Sequence, residues 1–199
     1  WSHGDDEIIS REQAIEWFGL NTVNKGAARF DMDKLTATNA HYIQDCDNAE
    51  MAKQLMPALA DRIDGGVSED AEDRIRRGLP GLKPRAKTIL DLIEKSEFYA
   101  RKRPLSFNDK ARMLLDENAV RRLTDLHAAF AGLEEWSEDT LEASVNAYIE
   151  DADIKMGEVA QPLRAALTGT TASPGIFEVL AVLGREEVLG RIGDVLGLA

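Results

Sequence analysis

Four side chains of the 199-residue sequence belong to the types that most often bind metals or act as nucleophiles: Cys46, His3, His41 and His127. They are widely scattered and do not have the close spacing of a metal-ligand set, so no metal is expected. One cysteine cannot form an internal disulfide, which is what a reducing cytoplasm leaves. No catalytic signature is found. There is no Gly-x-x-x-x-Gly-Lys-Ser/Thr phosphate loop, no Gly-x-Gly-x-x-Gly turn and no Gly-x-Ser-x-Gly elbow. The acid pairs Glu134-Glu135 and Glu186-Glu187 are sequence neighbours. Neighbours on a helix point apart, so these pairs suit solvation better than acid–base work.

Arginine and lysine have the more suggestive distribution. The chain has a net charge of −12, which argues against indiscriminate binding to nucleic acid. From Arg74 to Arg122, however, fourteen basic side chains face six acidic ones, giving +8 against −20 for the remainder. Such a block on an acidic protein suits a local polyanion site. The plain alternative is a set of solvated helix faces. On the polyanion reading, Arg74, Arg76, Lys83, Arg85 and Lys87 should gather on one face.

The elements that would carry these groups read as helices. Ser10 with Gln13 forms a capping box before Ile15, Trp17 and Phe18. Asn21 to Ala28 reads as loop. Asp31 caps a helix reaching about Asp45, and Met51, Leu55, Leu59 and Ile63 mark another, with Pro57 inside it. Gly65-Gly66 ends that helix and Ser68 starts the next. Gly78-Leu79-Pro80-Gly81 reads as a break, with a new helix after Pro84 along Ala86, Ile89, Leu90 and Ile93. Ser106 to Asp109 reads as a turn and cap. Val120, Leu123, His127 and Phe130 form a stripe, in which His127 is expected to be packed. Ser137 caps a helix bearing Leu141, Val145, Tyr148 and Ile149. Gly157 to Leu167 is a further helix. Ser173-Pro174 reads as a cap and first-turn proline for a helix to Leu183, and Gly184 separates it from the last one. No strand alternation and no repeat period is evident.

The expected fold is therefore all-α. At 44% hydrophobic the chain can build a core. No apolar run approaches the roughly 20 residues that cross a bilayer. The polar, acidic start lacks signal-peptide character and an initiator Met, and reads as a piece cut from a longer protein. On these grounds alone the chain is a helical binding or interaction domain.

Three stretches resemble bacterial glutamyl-tRNA synthetases. The first is Trp1-Ser2-His3-Gly4-Asp5-Asp6-Glu7-Ile8 with Val23-Asn24-Lys25, Ala28-Arg29-Phe30-Asp31-Met32-Asp33-Lys34-Leu35 and Asn39-Ala40-His41-Tyr42-Ile43. The second is Leu82-Lys83-Pro84-Arg85-Ala86-Lys87-Thr88-Ile89. The third runs from Gln161-Pro162-Leu163-Arg164 to Thr168-Gly169, then Ser173-Pro174-Gly175-Ile176-Phe177-Glu178 and Leu183-Gly184-Arg185-Glu186. In order, they span essentially the whole chain.

The resemblance implies residues 1–44 as the end of a stem-contact domain, followed by two small helical anticodon-binding subdomains, 45–112 and 113–199. It implies a cytoplasmic, monomeric parent that attaches glutamate to tRNA(Glu) with ATP and Mg. The family's two ATP signatures lie upstream and are absent here. This chain should therefore hold no cofactor, should not activate glutamate, and should work beside the parent's catalytic domain. It should bind tRNA, not DNA and not membrane.

Arg85 matches the residue that favours C over G at the third anticodon base. Gln161 and Arg164 match residues that approach the anticodon. Ser173, Pro174 and Ile176 match the segment against which its bases pack. Arg74, Arg76, Lys83 and Lys87 are candidates for the tRNA backbone. The physics fits these roles, because splayed anticodon bases are stacked and read on their edges, and arginine presents a planar fork of donors. Ordinary capping and core packing is the alternative for each residue. A helical protein–protein module without an RNA role is the competing function. A parent charging both glutamate and glutamine tRNAs is a third reading, and the residue at position 85 decides it.

Overall fold

A computed structural model describes residues 1, 3–4, 6–23, 25–26 and 29–198. Ser2, Asp5, Asn24 and Ala28 of the first resembling stretch, and Ala27 of the expected loop, lie outside the described residues.

Among the described residues the chain forms eleven α-helices and no strand, as an all-α fold requires. They are α1 (Arg11–Trp17), α2 (Met32–Asp45), α3 (Asn48–Arg62), α4 (Glu69–Leu82), α5 (Ile89–Ala100), α6 (Asp109–Met113), α7 (Glu117–Ala131), α8 (Glu138–Ala152), α9 (Met156–Thr168), α10 (Ile176–Leu183) and α11 (Arg185–Leu196). Among the described residues no helix is long and apolar enough to cross a membrane.

Most starts follow from side-chain caps. Ser10 and Gln13 make the expected reciprocal box, Asp31 accepts from the Lys34 N–H, Ser68 from Ala71 and Ser137 from Thr140. Asp47, Asn108 and Asp116 cap α3, α6 and α7 in the same way.

The stretch from Gly78 to Ile89 differs from the sequence expectation. Helix α4 does not break at Gly78 but continues through Pro80 to Leu82. Leu79 and Leu82 are fully buried and hold this last turn on the core. The two glycines are there for close packing. A Cβ on Gly78 would lie 2.4 Å from the buried Tyr99 ring, and one on Gly81 would lie 1.8 Å from Glu178 Oε1.

After α4 the chain makes a 3-10 turn at Lys83–Arg85, and α5 starts only at Ile89. Its cap is Thr88, boxed with Asp91, whose Oδ2 also accepts from the Lys87 N–H at 3.0 Å. Leu90, expected on the inner face, is exposed. Thr88→Ala should lower stability by about 1 kcal/mol, the usual loss for such a cap. Urea unfolding should show the midpoint falling at constant slope; an unchanged midpoint would remove the cap's role.

One continuous apolar core runs from Ile43 of α2 to Ile192 of α11. In α7 the buried stripe is Ala119, Leu123, Leu126 and Phe130, so the expected Val120 and His127 lie at its edge, half-buried. Helices α3, α4 and α5 pack together. Helices α7, α9 and α11 form a second group, with α8 on α10. The groups meet where α10 lies on α4 and α5 lies against α9. The division at 1–44, 45–112 and 113–199 is retained as a proposal; its second border falls within α6. Among the described residues before Ile43, the apolar side chains Ile15, Leu20, Phe30 and Met32 are exposed. Within this segment Tyr42 donates to the Ile9 carbonyl at 2.6 Å, and Asn39 ties α2 to the rest by donating to the Lys87 carbonyl at 2.7 Å.

Candidate nucleic-acid interface

The turn after α4 faces the segment between α9 and α10 across a cavity of about 250 Å³. Arg85, Lys95, Arg164, Ser173 and Pro174 line it, with Leu82, Thr171 and Ala172 completing the wall. Residues nearly 90 positions apart are brought together here because α10 packs on α4.

Both arginines are held by neutral partners. Arg85 Nη1 donates to the Gly81 carbonyl at 2.7 Å, at the C-terminal end of α4, where a cation is favoured. Arg164 Nε donates to Ser173 Oγ at 2.8 Å, and that hydroxyl donates onward to the Pro174 carbonyl at 2.9 Å. Among the described residues no carboxylate lies within ion-pair distance of Arg85, Arg164, Lys87 or Lys95. Burial, and then the charge of Arg85, lower the Arg164 guanidinium from its ordinary value, though arginine stays cationic at neutral pH. Two guanidinium groups without a counter-ion, in one half-open cavity, make a site for an anion or for the acceptor edge of a base.

Glu178 stands behind this pair. It lies on the first turn of α10 and its carboxylate approaches Gly81. Burial and then Glu138 push its carboxyl above the ordinary value, while Arg85 and the Gly81 backbone act in the opposite direction. Glu178 thus faces the α4 end without forming an ion pair with Arg85.

The expected residues divide. Arg85, Arg164, Ser173 and Pro174 converge on the cavity. Gln161 is exposed one turn before Arg164 on α9 but does not line it. Lys87 is exposed, and among the described residues its ammonium has no ion-pair partner. Four expectations need correction. Ile176 is only 7% exposed and belongs to the core, so it cannot slip between bases; the apolar first turn of α10 points inward. Lys83 is 5% exposed, and its ammonium donates to the Cys46 carbonyl, so it is unavailable to a phosphate. The Arg74 side chain is 15% exposed and pairs with Glu187 at 3.2 Å. Arg76 pairs with Asp73 at 2.6 Å. The basic block is therefore not one open face: each arginine of α4 has a carboxylate partner, Arg74 largely enclosed and Arg76 and Arg77 at the surface.

Two details of the local reading also change. Ser173 is not the cap of α10; Gly175 is, without a side-chain bond, and Ser173 instead anchors Arg164. Arg85 is not beside a helix start but at a helix end. Lys95 and Thr171 were not singled out in the sequence. Lys95 lay within the basic block, but nothing in the sequence says which solvent face of α5 looks toward the α9–α10 segment. Among the described residues no group of three or more His, Cys, Asp and Glu side chains is placed to hold a metal ion.

Comparison with known proteins adds a family. Residues 47–196 match the model of the anticodon binding domain. The glutamate–tRNA ligase 2 of Chelativorans sp. (strain BNC1) is 48% identical over 200 residues, covering 98% of this chain and 42% of that protein. That of Rhizorhabdus wittichii is 49% identical over 197 residues, covering 99% of this chain and 42% of that protein. A solved glutamate tRNA ligase from Elizabethkingia meningosepticum, in complex with its amino acid, superposes with a TM-score of 0.79 at 26% identity over 96% of this chain and 37% of its own. The glutamate-tRNA synthetase of Elizabethkingia anophelis does so with 0.76 at 28% identity, over 99% and 38%. The chain thus spans about two-fifths of the length of these relatives.

Proposed function

The chain belongs to the anticodon-binding-domain family, and from that premise we propose that it is the part of a glutamate–tRNA ligase that grips the anticodon of tRNA(Glu). The relatives it matches are named for glutamate–tRNA ligation. The attachment of glutamate, with its ATP and Mg, is assigned to a catalytic domain elsewhere in the longer, monomeric, cytoplasmic protein.

The observation that carries this reading is the pair of guanidinium groups, Arg85 and Arg164, held open in one cavity by a carbonyl and a hydroxyl. An ion pair would have quenched either charge; a neutral anchor fixes its direction and leaves the charge to a ligand. In this reading Arg85 reads the third anticodon base, Arg164 approaches the anticodon beside it, Pro174 packs against the base, and Gln161 and Lys87 contact the strand outside the cavity. Ser173 sets the rotamer of Arg164.

The test is a salt titration of binding between the 199-residue chain and a labelled tRNA(Glu) transcript, with an anticodon-substituted transcript beside it. Affinity should fall linearly in log–log form with salt, by about 0.7–0.9 in slope per neutralised phosphate. It should also be weaker for the substituted anticodon. Equal, salt-insensitive retention of both transcripts, or of neither, would defeat the proposal and return the helical protein-interaction module to first place.

A further inference from the structure

The Arg85 cavity does not end at Lys95. A second cavity of about 300 Å³ has Lys95, Thr171 and Ala172 of its wall in common with the first. The two cavities therefore adjoin, with a lysine common to both walls. Both volumes sit at or just below the lower end of ordinary ligand cavities, roughly 300–1,000 Å³, which suits one small ring system each rather than a large cofactor.

The second cavity has the chemistry of a base subsite. Phe98 and Ala172 give it apolar wall, and Thr170 and Asn108 polar wall. Asn108 caps α6 through Oδ1, which accepts from the Ala111 N–H at 2.8 Å. Its amide N–H₂ has no acceptor among the described residues, so a donor is left over at the wall. Of the two acids there, Glu97 is engaged by Arg62 at 2.7 Å and Arg101 at 2.8 Å, while Glu94 remains as an acceptor for a base amino group. Lys95 is exposed; Asp91, one helical turn back, feels its charge without forming an ion pair.

We propose that these adjoining cavities seat two successive nucleotides of a single RNA strand, one base in each cavity, with Lys95 neutralising the phosphate between them. The proposal rests on the RNA-binding reading above. It adds a second base position, with a leftover amide donor at Asn108, and one backbone contact that belongs to neither base.

The experiment compares the 199-residue chain with its Lys95→Ala, Lys95→Arg and Asn108→Asp variants, each checked for folding by thermal melting. The probe is a fluorescent tRNA(Glu) transcript over a range of salt, and transcripts changed at single anticodon bases. Lys95→Ala should reduce the slope of log affinity against log salt by about 0.7, and the affinity at 0.1 M salt by about fivefold relative to its effect at 1 M. The loss should be equal for every transcript, and Lys95→Arg should restore the slope. Asn108→Asp keeps the helix cap and loses the donor, so it should change the ranking of transcripts that differ at one base. If the wild-type chain binds RNA while Lys95→Ala leaves the slope untouched, the two-nucleotide seat is overturned and the anticodon reading survives. An unchanged ranking with Asn108→Asp overturns the second base position. If the wild-type chain binds no transcript, both readings fail together.

Discussion

Glu187→Ala is expected to remove about 3–5 kcal/mol of stability, the usual result of stripping one partner from a buried ion pair. Arg191 is 1% exposed, one of the largest fully buried side chains in the molecule. Its Nε donates to Glu187 Oε1 at 2.7 Å, and its other nitrogens donate to the carbonyls of Leu167 and Arg101. Arg74 and Arg103 reach the other oxygen of Glu187 at 3.2 and 3.9 Å. One carboxylate therefore balances three guanidinium groups drawn from α4, the segment after α5, and α11. Without it a buried cation is left uncompensated. In a chain of this size the loss should lower the melting temperature by roughly 6–20 °C. A fall of under about 1 kcal/mol would mean that water reaches Arg191 after all. Replacing Glu187 and Arg191 together by Leu and Met should recover only part of the loss, because the Leu167 and Arg101 carbonyls then lose their donor.

The same carboxylate gives a pH dependence. Burial pushes Glu187 up, but Arg191, Arg74 and Arg103 outweigh it and the net direction is down. A group whose folded value is depressed stabilises the fold fully above its unfolded value and loses that contribution as pH falls through the folded one. The Glu187 share should therefore be intact above about pH 4.5 and vanish in more acidic solution. In the Glu187→Ala variant that part of the acid sensitivity should be missing.

Arg85→Gln should change the choice between RNAs more than the strength of binding. A bidentate arginine–base contact discriminates by about 1–3 kcal/mol, roughly fivefold to a hundredfold. Because Nη1 is occupied by the Gly81 carbonyl, the guanidinium presents its remaining edge in a fixed direction, which favours selectivity. Binding of the variant to glutamate and glutamine tRNA transcripts, measured in parallel, should show their ratio collapsing toward one. A uniform loss for both, with the salt slope reduced by about one, would make Arg85 a phosphate contact instead.

Local signals were legible where a short polar residue meets the first turn of a helix. Ser10, Asp31, Ser68 and Ser137 act as the sequence suggested, because capping depends on atoms within three residues. The misreadings lie where distant residues decide. Gly78, Pro80 and Gly81 look like a break, but Tyr99 and Glu178 occupy the space that side chains would need. Lys83 looks like a surface cation, yet the Cys46 carbonyl claims it. Ser173 looks like a cap, but Arg164 reaches its hydroxyl first. The convergence of Arg85 with Arg164 depends on α10 meeting α4, which no periodicity encodes. The family resemblance located both residues without giving their partners. It placed Ile176 at the bases, whereas the packing of α10 places it in the core.

The neutral anchors of Arg85 and Arg164 bear on kinetics as well as on geometry. A free arginine samples many rotamers, and ordering it on contact forfeits up to about 2 kcal/mol of side-chain entropy. Here the Gly81 carbonyl and the Ser173 hydroxyl impose that order during folding. On the proposed reading an arriving strand would meet a preformed mould and need not wait for two long side chains to search. Complex formation should then approach the rate set by diffusion and charge attraction, and differences in affinity between strands should appear in how long each one stays.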